Sequence, residues 1–132
     1  MTTTSITHRT DSTRRWSVTA DLVFWTAAGG VVAVGSGPLA RTWGISRTVL
    51  LDAGIGFVIL GPILLLGLRR IRVTRGLVAG FVVTNAVLTP LAWAAAEYGW
   101  LGLTRAGNAA LVGAGVVMLV LGSWQVWTLR RG

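Results

Sequence analysis

Four long apolar blocks alternate with short polar, arginine-bearing stretches along the 132 residues of the chain. The blocks cover residues 16–40, 47–68, 74–97 and 104–129. Each holds about 20 residues or more, and at about 1.5 Å rise per residue a helix of that length crosses a hydrocarbon core near 30 Å thick. None alternates apolar and polar residues with a period of two, which argues against a membrane β-barrel. The pattern predicts four transmembrane helices. The residues between blocks fit this division. Gly37, Pro38, Arg41, Trp43, Gly44 and Ser46 mark the first connection, with Ser46 in position to cap the second helix. Arg69, Arg70, Arg72 and Arg75 lie in a second connection, too short for anything but an antiparallel pair. Tyr98 to Leu103 form the third, and Thr104 can cap the last helix. The predicted fold is therefore all-α: one four-helix antiparallel transmembrane bundle running up-down-up-down.

The N-terminal segment 1–15, MTTTSITHRTDSTRR, reads differently. It is rich in Thr and Ser and has almost no large apolar side chains, so it is expected to be a disordered cytoplasmic tail. Arg14 and Arg15 resemble the start of a signal peptide, but the apolar stretch that follows is longer than the usual 7–15 residues of such a signal, which favours a retained helix.

Composition supports lipid as the surrounding solvent. Hydrophobic residues make up 53% of the chain and charged residues 12%, about half the charged fraction of an ordinary soluble domain. The net charge of +8 raises the question of nucleic acid. Here the basic residues, all Arg, sit between apolar blocks rather than along a groove with aromatics, so membrane topology explains them better and no nucleic-acid partner is expected. Arginine in place of lysine, with abundant Ala, Val and Gly, suggests a GC-rich bacterial source. The chain has no Cys, which removes disulfides, thiolate nucleophiles and iron–sulfur clusters. Its one His, His8, lies in the polar tail, so a haem held by histidines inside the helices is excluded, and no cofactor is expected.

Nine arginines fall in the tail, the middle connection and the C-terminus, and three (Arg41, Arg47 and Arg105) in the other two connections. The positive-inside rule then places both termini in the cytoplasm, in a bacterial inner membrane. Trp16, Trp124 and Trp127 fall at the inner interface, and Trp43, Tyr98 and Trp100 at the outer one, as an aromatic belt requires.

Polar residues inside the spans are the candidates for function. Asp52 lies near the outer end of the second span, where it is either a water-accessible carboxylate paired with Arg41, Arg47 or Arg105, or a protonatable site in a transport path. Glu97 and Arg105 flank the third connection and are expected to form an interfacial ion pair. Asp21 lies where the first span enters the bilayer and is expected to be interfacial. Asn85, near the middle of the third span, should face the bundle and bond to another helix, and Gln125 could act in the same way. The small residues Gly29, Ala33 and Gly37, then Ala106, Ala110 and Ala114, and the pair Gly76 and Gly80, offer close-packing faces for the bundle itself or for a homo-oligomer. Kinks are expected at Pro62 and Pro90.

Gly37-Pro38-Leu39-Ala40, Asn85, Leu103-Thr104 with Gly107, and Gln125 with Leu129-Arg130-Arg131 together resemble a widespread group of small four-helix bacterial membrane proteins without an established activity. The resemblance covers about residues 22–131, with Leu88 standing where an aromatic residue often follows the Asn. It implies the fold and no chemistry.

No pair of acids or His at ligand spacing and no phosphate loop occurs, so an enzyme is not expected. The sequence points to a non-catalytic accessory or interaction protein, partnered by the lipid bilayer and by itself or another membrane protein. The alternative is a transporter of small molecules or ions relying on Asp52. Proton-coupled exporters of similar length carry a mid-membrane acid in their first helix, and residues 24–34 contain none.

Overall fold

The computed structural model describes the backbone of residues 2–131, and the side chains of Arg9 and of residues 11–131. His8 lies outside the described side chains. The chain folds into five helices: α1 (Thr2–Val34), α2 (Ser36–Trp43), α3 (Arg47–Arg70), α4 (Arg75–Glu97) and α5 (Arg105–Arg131). Four of them, α1, α3, α4 and α5, are long and apolar enough to cross a membrane. In each of these spans only 17–28% of the apolar window is buried. Val31, Ile59, Ile63, Leu66, Val83, Val87 and Val120 are among many large apolar side chains turned outward. Water would not tolerate so much outward apolar surface, whereas hydrocarbon does. The chain is a multi-pass helical membrane protein.

Two differences from the sequence-based expectation concern the first span. Helical backbone extends back to Thr2, through the segment expected to be a disordered tail. Local bonds support it: Thr13 Oγ1 donates to the carbonyl of Arg9, and Asp11 pairs with Arg15 one turn later at 3.8 Å. At 33 residues, α1 is roughly 50 Å long and overshoots the bilayer. At its other end the span predicted to run through Ala40 breaks at Gly35, and α2 begins a separate short helix. Pro38 falls in the first turn of α2, where its missing N–H is not needed. Helices α3 and α4 continue through Pro62 and Pro90.

Helices α1 and α3 pack antiparallel at a close crossing. A Cβ added to Gly54 would lie 2.6 Å from the Gly29 carbonyl oxygen and 2.7 Å from the Ala33 amide nitrogen, so only glycine fits. Helices α4 and α5 form a second antiparallel pair. Trp93 Nε1 donates to the Val112 carbonyl at 3.1 Å, and Thr89 Oγ1 to the Gly115 carbonyl at 3.4 Å. The pairs meet through α1 and α5. Of the small-residue stripes, Gly29 and Ala33 serve the α1–α3 crossing, whereas Gly80 has open space around it.

Arginines stitch one end of the bundle. Arg15 donates to the carbonyls of Leu68 and Ile71, and Arg75 to that of Leu129 at 3.2 Å, supplying donors to the free carbonyls at the ends of α3 and α5. Val18, Leu22, Leu68, Val73 and Val78 form the buried apolar cluster beneath them. At the opposite end Thr104 clamps two connections together: its amide donates to the Trp43 carbonyl at 2.9 Å and its hydroxyl to the Thr42 carbonyl. Its hydroxyl also accepts from Gly107 N at 3.2 Å, capping α5. Gly44 makes the clamp possible, with φ of 71° and no room for a Cβ against Thr104.

Candidate functional site

Three polar side chains from three helices meet in the interior. Asp21 of α1, Asn85 of α4 and Gln125 of α5 are 3%, 5% and 0% exposed. Gln125 Nε2 donates to Asp21 Oδ2 at 2.8 Å, and Asn85 Nδ2 donates to the same oxygen at 3.0 Å. Asn85 Nδ2 also lies 3.2 Å from Gln125 Oε1, which closes a triangle. Each helix is shaped for this meeting. Gly122, one turn before Gln125, sits against Asn85, where an added Cβ would come within 3.2 Å of the Asn85 Cβ. On α1 the buried Ser17, Val18 and Leu22 flank Asp21 and turn this face inward.

The two amides converge on Oδ2, so Oδ1 takes part in none of these bonds. No arginine lies within ion-pair distance of the carboxylate among the described residues, where Arg15–Asp11 is the ion pair that forms. A buried charge is normally paired or neutralised, because desolvation is expensive. Asp21 has two neutral donors to disperse a negative charge and no cation to balance it.

The carboxylate lines a cavity. Helices α3 and α4 are consecutive in the chain and share the apolar cluster at one end through Leu68 and Val78, but their backbones nowhere approach closely. Between them opens a groove of about 690 Å³, with α1 and α5 behind it. Leu60 and Leu64 of α3 and Leu88 and Leu91 of α4 contribute to its walls, and Asp21 and Asn85 are the strongly polar groups among its lining residues. Aromatic rings from four segments also reach it: Trp25, Phe57, Phe81 and Trp100. Trp25 and Phe57 stack, with ring centroids 5.6 Å apart and planes 23° from parallel. Such a concave, mostly apolar lining with a few convergent polar groups has the character and size of a small-molecule site.

The residues singled out from sequence divide into two sets. Asn85 and Gln125 come together at the triangle. Asp52, Glu97 and Arg105 are exposed and lie outside it. The ion pair expected between Glu97 and Arg105 does not form among the described residues, nor does a pair between Asp52 and Arg41, Arg47 or Arg105. Asp52 does not line the groove. Asp21, expected where the first span enters the bilayer, is buried among the helices, roughly 9 Å along α1 from Arg15, and joins the triangle. A signal for it existed: the small-residue series Gly37, Ala33 and Gly29, continued backwards in steps of four, reaches Trp25, Asp21 and Ser17.

No group of three or more His, Cys, Asp or Glu that could hold a metal occurs among the described residues. Fold and site define a multi-pass helical membrane protein with a buried carboxylate–amide cluster beside a groove. Narrowing from that class to a family has no support from relatedness: no family model, curated protein or solved structure matches the chain.

Proposed function

We propose that this chain is a non-catalytic interaction protein of a bacterial inner membrane, with both termini cytoplasmic, and that it acts by holding a guest within the bilayer in the groove between α3 and α4. The observation that carries this reading is the groove itself. Two consecutive helices joined by a short link stand apart, and an apolar, aromatic-lined cleft with a carboxylate at its wall lies between them. The arginines support this orientation, since they crowd the end of the bundle where Arg15 and Arg75 cap α3 and α5.

A second reading, transport, is favoured by the same carboxylate. It would depend on Asp21 rather than on the exposed Asp52.

Extraction of the tagged protein in native-lipid nanodiscs, followed by mass spectrometry, tests the proposal. A stoichiometric companion, lost on Leu60→Trp or Leu88→Trp within the groove, is expected. A chain that emerges with bulk lipid alone, unchanged by either substitution, would overturn it.

A further inference from the structure

We infer that the groove between α3 and α4 is a binding site for a small hydrophobic monocation, such as a lipophilic amine or a quaternary ammonium or phosphonium ion, with Asp21 as its counter-ion. This rests on the proposal that the groove holds a guest and specifies the chemistry of that guest.

Three observations converge on it. The first is charge. Asp21 is 3% exposed and hydrogen-bonded on Oδ2 by two neutral amides, with no arginine paired to it among the described residues. The chain carries twelve arginines, yet the buried acid is not matched with one of them. An ionised carboxylate in hydrocarbon calls for a positive partner, and the groove is the space from which a guest can supply it. The second is lining. Trp25, Phe57, Phe81 and Trp100 bring aromatic rings to the groove, and aromatic faces attract cations of low hydration. Apart from Asp21, Asn85 and Thr84 there is little in the lining to solvate a guest, so the guest must be apolar outside its charged centre. The third is size. A volume of about 690 Å³ falls within the roughly 300–1,000 Å³ of small-molecule sites.

Asn85 and Gln125 are positioning residues here. They fix the carboxylate from one side through Oδ2 and leave Oδ1 for the guest. A hydrophobic ion reaches such a site from the hydrocarbon, since walls of the groove are formed by side chains that face lipid, Leu60 and Leu88 among them.

The test uses the full chain in phosphatidylcholine nanodiscs, where the lipid carries no net charge, with protein-free nanodiscs as the reference for partitioning. Tetraphenylphosphonium and tetraphenylborate are near-identical in shape and opposite in charge. Saturable one-to-one binding of the phosphonium, read by equilibrium dialysis and by quenching of tryptophan fluorescence, is expected, with no saturable binding of the borate. Asp21→Asn should weaken phosphonium binding at least tenfold, and Asp21→Glu should retain most of it. Leu88→Trp should reduce binding by occupying the groove. Equal binding of the two ions by the wild type would overturn the counter-ion assignment and leave the groove as a binding site. Full phosphonium binding by a folded Asp21→Asn protein would have the same meaning. Absence of saturable binding by either ion overturns the inference, and the fate of the broader proposal is then decided by whether a companion is retained in native-lipid nanodiscs. The comparison of the two ions on the wild-type chain keeps the test decisive even if the Asp21 variants fail to fold.

Discussion

Replacing Gln125 by Leu removes one corner of the polar triangle while keeping a side chain of similar volume. Two hydrogen bonds disappear: the 2.8 Å donation to Asp21 Oδ2 and the 3.2 Å acceptance from Asn85. The first reaches a carboxylate, and bonds of that kind are worth roughly 1.5–3 kcal/mol. The second joins neutral amides on two helices, where about 0.6 kcal/mol is typical inside a membrane. Leucine regains little, because lipid tails are as apolar as the bundle interior and offer no hydrophobic drive to bury it. The expected loss is therefore roughly 2–3.5 kcal/mol. Equilibrium unfolding in bicelles by steric trapping measures it. A cycle with Asp21→Asn should show a coupling of about 1 kcal/mol or more, because the two side chains share a bond. Asp52→Asn, on an exposed side chain outside the triangle, should leave the unfolding curve unchanged. A Gln125→Leu protein as stable as the wild type, with no coupling to Asp21, would refute the idea that the triangle holds the helices together.

Further outcomes follow from the packing and the caps. Gly54→Val should destabilise the bundle by roughly 1–3 kcal/mol through overpacking, because backbone atoms of α1 occupy the space its side chain needs. Gly56→Val should be tolerated, since nothing lies within 4 Å of that position; thermal denaturation of the pair in one detergent checks both. Arg15→Leu removes the donors to the Leu68 and Ile71 carbonyls, and hydrogen–deuterium exchange should accelerate in the last turn of α3 with little change in α4. In the naturally Cys-free chain, an impermeant maleimide added to whole cells should label a Cys at Gly99 and spare one at Arg72 until lysis. Labelling of both sites in intact cells would invalidate the proposed topology.

The long helices were legible because lipid imposes a coarse rule: about 20 apolar residues, ended by polar ones. The clustered arginines mark one end of the bundle as distinct from the other, and Thr104 showed itself as a cap through its place before an apolar run. What sequence left hidden depends on which face of a helix turns inward. Asp21 and Asp52 each stand near the end of an apolar block, so distance from the interface gives them the same reading. Their fates diverge because the face of α1 that carries Ser17, Val18, Asp21 and Leu22 packs inward, while Asp52 points away from the neighbouring helices. Asn85 and Gln125 announced themselves as amides in hydrocarbon, but their common partner could be named only once α1, α4 and α5 were placed together. The groove was hidden for a similar reason. A short link between α3 and α4 suggests a packed pair, whereas each prefers another neighbour, α1 for the former and α5 for the latter. The ends of α1 escaped a composition rule for local reasons, the Thr13–Arg9 and Asp11–Arg15 side-chain contacts at one end and Gly35 at the other.

The central claim, that Asp21 is joined to Gln125 inside the bilayer, is open to a direct distance measurement. Gln125 is the single glutamine of the chain, so 15N placed in glutamine side chains reports one site. With 13C at the aspartate carboxyls, rotational-echo double-resonance NMR in lipid bilayers reads the separation from Nε2 to the nearest carboxyl carbon. The 2.8 Å hydrogen bond, extended by a C–O bond of about 1.2 Å, places that carbon no more than about 4 Å away. Dephasing at that distance, abolished by Asp21→Asn, is the predicted result. A glutamine signal that shows no aspartate carbon within reach would contradict the buried triangle and the site built upon it.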